Sequence, residues 1–212
     1  ECQETFPTAH ITATLIDQHL PNFLGDIQQI PPMYSALKQN GQPLYKLARQ
    51  GVEVPRASRE VTIFELTRLY FEDNKLGLRV RCSKGTYIRT LAEDIAKSLD
   101  SGAYLTRLRR TTLGPYDIGQ SVKLETLTSN DSLSGQSDYL LKDIDSALVH
   151  LPAVDLSADS AEYVTRGKPV RVTQSTTAGM VRMYESEGRF LGIGEIIDDG
   201  RVAPRRIMCQ SG

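Results

Sequence analysis

The stretch REVTIFELTRLYFEDNKLGLRVRCS, residues 59–83, decides the fold class. Two runs rich in β-branched and aromatic residues flank the polar residues 72–74, a pattern typical of an antiparallel hairpin. The second run alternates between polar and apolar residues, which indicates one buried face. The apolar positions of that face are Leu76, Leu78, Val80 and Cys82. Cys82 is therefore expected to act as a small buried hydrophobic residue rather than a nucleophile.

The second strand leads through a small basic turn into a helix, in RCSKGTYIRTLAEDIA, residues 81–96. Thr86 is the predicted N-cap, and residues 100–102 are predicted to end the helix. Apolar residues recur at helical spacing between them, so one face should pack on the core. These residues are Ile88, Leu91, Ala92, Ile95 and Leu99. Strand and amphipathic helix together predict an α/β (α+β) domain.

On the N-terminal side, IPPMYSALKQNGQPLYKLARQG, residues 30–51, reads as an irregular arm. Two prolines prevent a regular start, Asn40-Gly41 predicts a tight turn, and a short helix should follow up to Gly51. The arm interleaves tyrosines with cations, a combination that suits stacking on bases and pairing with phosphates. Its members are Tyr34, Lys38, Tyr45, Lys46 and Arg49. For any single tyrosine, simple packing is the favoured interpretation.

On the C-terminal side, AYLTRLRRTTLGPYDIG, residues 103–119, alternates as a strand should. Residues 121–150 read as helical and acidic, with a loop at residues 129–138. Residues 179–208 then contain short strands with turn signals at Glu187-Gly188 and Asp199-Gly200, typical of a small antiparallel barrel or meander. We therefore predict a domain boundary near residue 150.

The composition, 40% hydrophobic and 24% charged, is that of a soluble globular protein. No run approaches the roughly 18 apolar residues of a membrane helix, so a cytoplasmic location is expected. The three cysteines and three histidines are too scattered for a disulfide framework or a metal centre. Ser83-Lys84-Gly85-Thr86 lacks the order and spacing of a phosphate loop, although Lys84 beside a helix N-terminus suits a single RNA phosphate.

The net charge of −1 conceals a basic first half. Residues 75–110 carry many more cations than carboxylates. The cations are Lys75, Arg79, Arg81, Lys84, Arg89, Lys97, Arg107, Arg109 and Arg110, against Glu93, Asp94 and Asp100. Such a patch indicates a nucleic-acid partner, and a solvated face of mixed charge is the alternative. Arg89 has an alternative of its own, because a helical ion pair with Glu93 would account for it, and Tyr87 could simply lean on Leu91.

Three segments, in order, resemble the TruB-type tRNA pseudouridine synthases: the arm at residues 30–51, the junction at residues 81–96, and GAYLTRLRRTTLG at residues 102–114. GMVRMYESEGRFLGIGEI, residues 179–196, is similar to the PUA-like tail domain of the bacterial members. The resemblance implies isomerisation of uridine 55 in the T loop of tRNA, with the target base flipped out of its stack. It also implies that no metal or organic cofactor is needed.

The resemblance gives roles to particular residues. Tyr87 corresponds to the pocket tyrosine that packs on the uracil, and Arg89 to the arginine that pairs with the catalytic aspartate. Leu108 corresponds to an apolar residue that lines the pocket. The arm residues that would grip the T arm are Lys38, Tyr45, Lys46 and Arg49. Lys84 is the remaining predicted substrate-binding residue.

One part of the family pattern is not found in these residues. The nucleophilic aspartate of the family lies in a GRLD-like stretch, and no such stretch occurs here. We therefore expect a fragment that is inactive alone and that self-associates or retains an N-terminal piece. A non-catalytic RNA-binding or tRNA-folding module is the alternative function. A guide-RNA-dependent modifier of rRNA is a third interpretation.

The predicted architecture has two parts. Residues 1–150, with the arm at about 30–58, would be the C-terminal portion of a pseudouridine-synthase domain. That domain would have a mixed, largely antiparallel sheet with flanking helices. Residues 151–212 would form a small PUA-like β-barrel.

Overall fold

A computed structural model describes residues 5–125, 140–172, 178–185 and 188–208. The chain divides into two compact units, Glu1–Leu108 and Arg109–Gly212. Both units combine strands with helices, so the predicted α/β (α+β) class is confirmed. Among the described residues, no helix is long and apolar enough to span a membrane.

The first unit is a three-stranded antiparallel sheet with helices and a small hairpin. Its elements are α1 (Ala13–His19), a 3-10 turn (Leu20–Phe23), β1 (Gly25–Gln29), β2 (Lys38–Gln39), β3 (Gln42–Pro43), α2 (Leu44–Arg49), β4 (Arg59–Glu72), β5 (Lys75–Cys82) and α3 (Ile88–Ser98). In the sheet, β4 lies between β1 and β5. β2 and β3 form a small hairpin around Asn40-Gly41, where the sequence predicts a tight turn.

The β4–β5 hairpin confirms the strongest strand prediction of the sequence. Glu72 pairs with Lys75, and the chain reverses through Asp73 and Asn74, whose φ angles of 48° and 58° are both left-handed. Asn and Asp tolerate this conformation better than most residues do, and a two-residue turn of this kind matches the twist of its strands. The sequence thus fixes the register at the turn.

The core of the first unit lies between α1, α3 and one face of the sheet. Its buried residues are Ile16, Leu20, Ile63, Leu66, Leu91, Ile95 and Leu99. Leu76, Leu78, Val80 and Cys82 pack against this cluster while partly buried, as their alternation predicted. The guanidinium of Arg68 on β4 donates two hydrogen bonds to the carboxylate of Asp17 on α1, at 2.8 and 2.7 Å. These bonds hold the pKa of the Asp17 carboxyl below its ordinary value.

The predicted strand at residues 103–119 is wrong over most of its length. Residues 103–111 have no regular structure, and only Thr112–Leu113 and Tyr116–Asp117 pair, as the short strands β6 and β7. Alternation alone does not make a strand, because the backbone also needs a neighbouring strand to hydrogen-bond. The alternating residues here are exposed on both sides, among them Arg107, Leu108 and Arg109.

The second unit contains a five-stranded sheet in the order β8-β10-β11-β12-β9. Its elements are β8 (Ala153–Leu156), α4 (Ala158–Thr165), β9 (Val170–Arg171), β10 (Gly179–Glu185), β11 (Phe190–Ile196) and β12 (Arg201–Ile207). The consecutive strands β10, β11 and β12 form the predicted antiparallel meander, and β8 joins β10 in parallel. This sheet and α4 enclose a core of their own, centred on Val154, Val164, Val181, Met183 and Val202.

Part of the acidic segment before this sheet can be followed. Ile144–Leu148 is a 3-10 helix, whereas the loop predicted at residues 129–138 lies outside the described residues. The 3-10 helix is joined to β10 by three side chains. Tyr184 donates a hydrogen bond to Asp145, and Arg182 donates one to the Tyr184 hydroxyl at 3.0 Å. Arg182 also lies 3.5 Å from the Asp145 carboxylate.

Candidate functional site

The turn between β5 and α3 is fixed to the neighbouring strand. Ser83 donates its backbone N–H to the carbonyl of Thr62 at 2.8 Å, and its hydroxyl accepts from the Thr62 N–H at 2.9 Å. Gly85 follows with φ +87°, a conformation that glycine adopts without cost. The Thr86 hydroxyl donates back to the carbonyl of Ser83 at 3.0 Å. The turn is therefore rigidly attached to β4 before the chain enters the helix.

Tyr87, not Thr86, is the N-cap of α3, so the predicted cap is wrong. Tyr87 has extended backbone angles, φ −95° and ψ 103°, and no side chain caps the helix from this position. Thr86 fails as a cap because its hydroxyl is used within the turn. The Tyr87 side chain is half-buried.

The backbone of Tyr87 is held by the side chain of Gln29, at the end of β1. The Tyr87 N–H donates to Gln29 Oε1 at 2.8 Å, and Gln29 Nε2 donates to the Tyr87 carbonyl at 3.1 Å. The same carbonyl accepts the first helical hydrogen bond, from the Leu91 N–H at 3.0 Å. Sequence reasoning missed Gln29, because nothing in the sequence separates it from its exposed neighbour Gln28.

Arg89 is exposed in the first turn of α3, and Lys84 is exposed in the turn before it. Within the described part of the chain, Arg89 forms no ion pair with Glu93, so the ion-pair interpretation does not describe this structure. Glu93 instead lines a cavity of about 550 Å³ together with Arg56 and Ile30. Lys84, Tyr87 and Arg89 do not line this cavity.

The arm residues form a second group, around α2. Lys38 is exposed on β2, Lys46 and Arg49 are exposed on α2, and Tyr45 is half-buried. The guanidinium of Arg49 lies 5.5 Å from the centre of the Tyr45 ring, a cation–π contact. A stacking surface and three cations thus share one short hairpin-helix segment.

Leu108 is 66% exposed and is the last residue of the first unit.

The predicted site residues of the first unit form two groups, with Lys84, Tyr87 and Arg89 at one end of α3 and the arm residues around α2. Across the described residues, no hydrogen bond or ion pair joins these two groups. The same part of the chain holds no cluster of three or more histidine, cysteine, aspartate or glutamate side chains suited to a metal ion.

Comparisons with known families cover nearly the whole sequence. Residues 1–88 match the family described as TruB family pseudouridylate synthase (N terminal domain). Residues 89–149 match the tRNA pseudouridylate synthase B C-terminal domain, and residues 152–208 match Pseudouridine synthase II TruB, C-terminal. All three matches define one class, the pseudouridine synthases.

Individual relatives narrow this class. The chain is 50% identical over 210 residues to tRNA pseudouridine synthase B of Stutzerimonas stutzeri, covering 98% of this chain and 68% of the relative. It is 50% identical over 195 residues to the protein of the same name from Pseudomonas aeruginosa, covering 91% and 64%. The chain belongs to the TruB family of pseudouridine synthases. It spans about two thirds of the length of these relatives.

Solved structures share the fold at lower sequence identity. The structure described as a Cbf5-Nop10-Gar1 complex matches with a TM-score of 0.71 and 20% identity, over 96% of this chain and 64% of that one. An H/ACA RNP bound to a substrate RNA containing 2'-deoxyuridine matches with a TM-score of 0.69 and 18% identity, over 97% and 64%. These matches confirm the predicted pseudouridine-synthase-like fold.

The predicted domain boundary near residue 150 stays a prediction. Two family matches meet there, at residues 149 and 152, whereas the compact units divide between Leu108 and Arg109. The roles of the site residues and the predicted self-association are likewise still predictions.

Proposed function

We propose that this chain is part of an enzyme that isomerises uridine 55 in the T loop of tRNA to pseudouridine. The observation that carries the proposal is the junction before α3, where a rigid turn presents Tyr87 and Arg89 within a family motif. The names of the relatives, tRNA pseudouridine synthase B, support a tRNA substrate. The cytoplasm is the proposed location of this activity.

The reaction moves one glycosidic bond. The bond between C1' of the ribose and N1 of the uracil breaks, and a bond between C1' and C5 forms. The C5 proton is lost and N1 gains a proton, so atoms and charge balance. A base inside a stem or a stacked loop must first be flipped out, which requires a surface for it to pack on. The half-buried Tyr87 ring would provide that surface and assist removal of the C5 proton.

Arg89 would pair with the nucleophilic aspartate, keeping it ionised and oriented. Its exposed guanidinium has no ion-pair partner within the described residues, so the group remains available to a carboxylate. We infer that this carboxylate belongs to the portion of the relatives that the 212 residues do not cover. Leu108, also exposed, would line the uracil pocket.

The arm would hold the RNA. Lys38, Lys46 and Arg49 are exposed and would pair with phosphates of the T arm, while Tyr45 contributes a stacking face. Lys84, exposed at the N-terminal end of α3, would pair with one phosphate near the flipped base. These contacts would supply affinity and orientation, with little sequence specificity.

The test is release of tritium from 5-labelled uridine in a T-arm stem-loop by the full-length gene product. Arg89→Ala should lower kcat by about a hundredfold or more, the equivalent of ~2.7 kcal/mol, because the nucleophile loses the charge that orients it. Arg166→Ala is the matched control, since Arg166 is an exposed arginine at the end of α4. It should keep the normal rate.

Three outcomes would contradict the proposal or one of its parts. A well-folded protein that binds the stem-loop but releases no tritium would be a non-catalytic RNA-binding or tRNA-folding module. An Arg89→Ala variant with the normal rate would remove Arg89 from the mechanism. Release that occurs only when a guide RNA is added would favour the guide-dependent interpretation.

A further inference from the structure

Gln29 is a buried side chain whose two polar atoms both contact one other residue. Its exposed fraction is 2%, and Gln29 is one of the few buried polar residues in the described part of the chain. Its Oε1 accepts from the Tyr87 N–H at 2.8 Å, and its Nε2 donates to the Tyr87 carbonyl at 3.1 Å. A buried amide whose oxygen and nitrogen are each hydrogen-bonded resists movement, because a shift would leave a buried polar atom without its partner.

The position of Tyr87 makes this pairing more than ordinary burial. The N-cap residue comes directly before the first helical residue, so its own N–H has no hydrogen-bond partner within the helix. In addition, no side chain caps the N-terminus of α3 from this position. Gln29, which lies on β1 and 58 residues away in sequence, supplies hydrogen bonds to the start of α3 in place of a local cap. Upstream, Ser83 already attaches the turn to Thr62 of β4. Two contacts therefore tie this segment to the sheet, one from the Tyr87 backbone to Gln29 of β1 and one from Ser83 to Thr62 of β4.

The strand that carries Gln29 is itself firmly held. Gln29 pairs with Arg59 in the β1–β4 ladder, and the hydroxyl of Thr62 donates to Asp26 Oδ1 at 2.7 Å. Gln29 is also the last residue of β1, so the arm begins at the next position. The side chain therefore connects the base of the arm to the backbone of Tyr87.

We propose that Gln29 is a positioning residue for the isomerisation. By holding the Tyr87 backbone, it sets the direction in which the Tyr87 ring projects from the N-terminus of α3. The inference deepens the function proposed above and rests on it. Gln29 would act through Tyr87 and would not touch the uracil. Misplacing a reacting group by about 1 Å can cost on the order of a hundredfold in rate, so the effect should be measurable.

Two substitutions separate positioning from simple burial. Gln29→Met keeps the length of the side chain and removes both hydrogen bonds. Gln29→Glu keeps the acceptor for the Tyr87 N–H, but as a carboxylate it repels the Tyr87 carbonyl. When protonated, the introduced carboxyl again has one acceptor and one O–H donor, so it reproduces the amide. Burial raises the pKa of a carboxyl, which brings this change into the range where an enzyme can be assayed.

The experiment measures kcat and KM of the full-length gene product on a T-arm stem-loop between pH 5.5 and 8.5. At pH 8.5 both variants should have a kcat at least about tenfold below that of the unmodified enzyme, with KM within about threefold. As the pH falls, the ratio of the Gln29→Glu rate to the unmodified rate should recover by most of that factor. The same ratio for Gln29→Met should stay flat. Gln28→Met, at the exposed neighbouring position, is the matched control and should keep the normal kcat.

A normal kcat in both variants at pH 8.5 would overturn the proposal, as would parallel pH profiles for Gln29→Glu and Gln29→Met. Since the pH recovery is read on a single protein sample, a folding defect in Gln29→Met does not remove the test.

A second measurement does not depend on activity. Hydrogen exchange of the Tyr87 amide should speed up by about tenfold or more in Gln29→Met, while the Leu91 amide, inside the helix, stays protected. If the unmodified protein is inactive and exchange of the Tyr87 amide still speeds up in Gln29→Met, the proposed function is disproved and the structural role of Gln29 is kept. An active protein with an unaffected Tyr87 amide would keep the function and overturn the role of Gln29.

Discussion

Tyr184 lies between an anion and a cation in the second unit, with its hydroxyl donating to Asp145 and accepting from Arg182. Burial, followed by the hydrogen bond to Asp145, raises the pKa of the Tyr184 phenol above its ordinary value. A raised pKa means that the folded protein favours the neutral phenol. The stability that the neutral Tyr184 phenol contributes is therefore fully present below about pH 10, the ordinary pKa of tyrosine. It is lost as the pH rises through the pKa of Tyr184 in the folded protein.

Tyr184→Phe removes this hydroxyl and leaves Arg182 and Asp145 3.5 Å apart, without the group that bridges them. We expect the free energy of unfolding to fall by about 1.5–3 kcal/mol, the usual contribution of a hydrogen bond to a charged group. Urea unfolding followed by circular dichroism would measure it. Tyr163→Phe is the control, because Tyr163 is 52% exposed on α4 and should change stability by less than about 0.5 kcal/mol. Equal losses in the two variants would contradict a special role for Tyr184.

At the scale of the strands, two glycines of the second unit differ in what a side chain would meet. Gly192 on β11 has φ +141°, and a Cβ there would lie 2.1 Å from the backbone carbonyl oxygen of Arg206 on β12. Gly200, in the turn before β12, has φ +77° with nothing within 4 Å. The first glycine permits the close approach of two strands, whereas the second only permits a turn.

We therefore predict that Gly192→Ala lowers the free energy of unfolding by at least about 3 kcal/mol, because β12 must move to admit the methyl group. Gly200→Ala should cost only about 1 kcal/mol, the price of a left-handed conformation for alanine. Thermal melting of both variants beside the unmodified protein would test this. A Gly192→Ala protein no less stable than Gly200→Ala would show that β11 and β12 can separate without loss.

The same scale shows which elements could be predicted from the sequence. The β4–β5 hairpin was predictable because alternation, β-branched residues and a polar turn all agree over 25 residues, 59–83. Residues 103–111 alternate equally well and form no strand, since pairing depends on a partner that local sequence does not specify.

The candidate site divides in the same way. Tyr87 and Arg89 could be found because they lie in one continuous motif. The contact between Gln29 and Tyr87 spans 58 residues and depends on which amide of the Gln28-Gln29 pair faces inward. The cap of α3 was missed for a related reason, because the Thr86 hydroxyl is used by the turn. Short-range patterns predict elements, whereas contacts between distant elements require the fold.

For the whole molecule, the net charge of −1 says little about RNA binding, because the charges are separated along the chain. The arm is basic, with Lys38, Lys46 and Arg49 exposed, whereas the charged residues of the segment 116–165 are mostly carboxylates, with Lys123 and Lys142 as its lysines. A phosphate of the RNA is attracted mainly by nearby cations, because salt screens an exposed charge beyond about 8 Å at physiological ionic strength. Binding should therefore depend on where a cation lies.

This dependence can be measured as the slope of log K for a T-arm stem-loop against log salt concentration. Each lost phosphate contact should reduce the slope by about 0.7 to 0.9, so the double variant Lys38→Gln, Lys46→Gln should lose about 1.4 to 1.8. Lys123→Gln, Lys142→Gln changes the net charge by the same amount in the acidic segment and should leave the slope unchanged. Equal reductions in the two double variants would mean that the RNA responds to total charge, and the arm would lose its proposed role. A reduction confined to the arm variant would place the phosphates beside β2 and α2, because only there do the removed cations make contact.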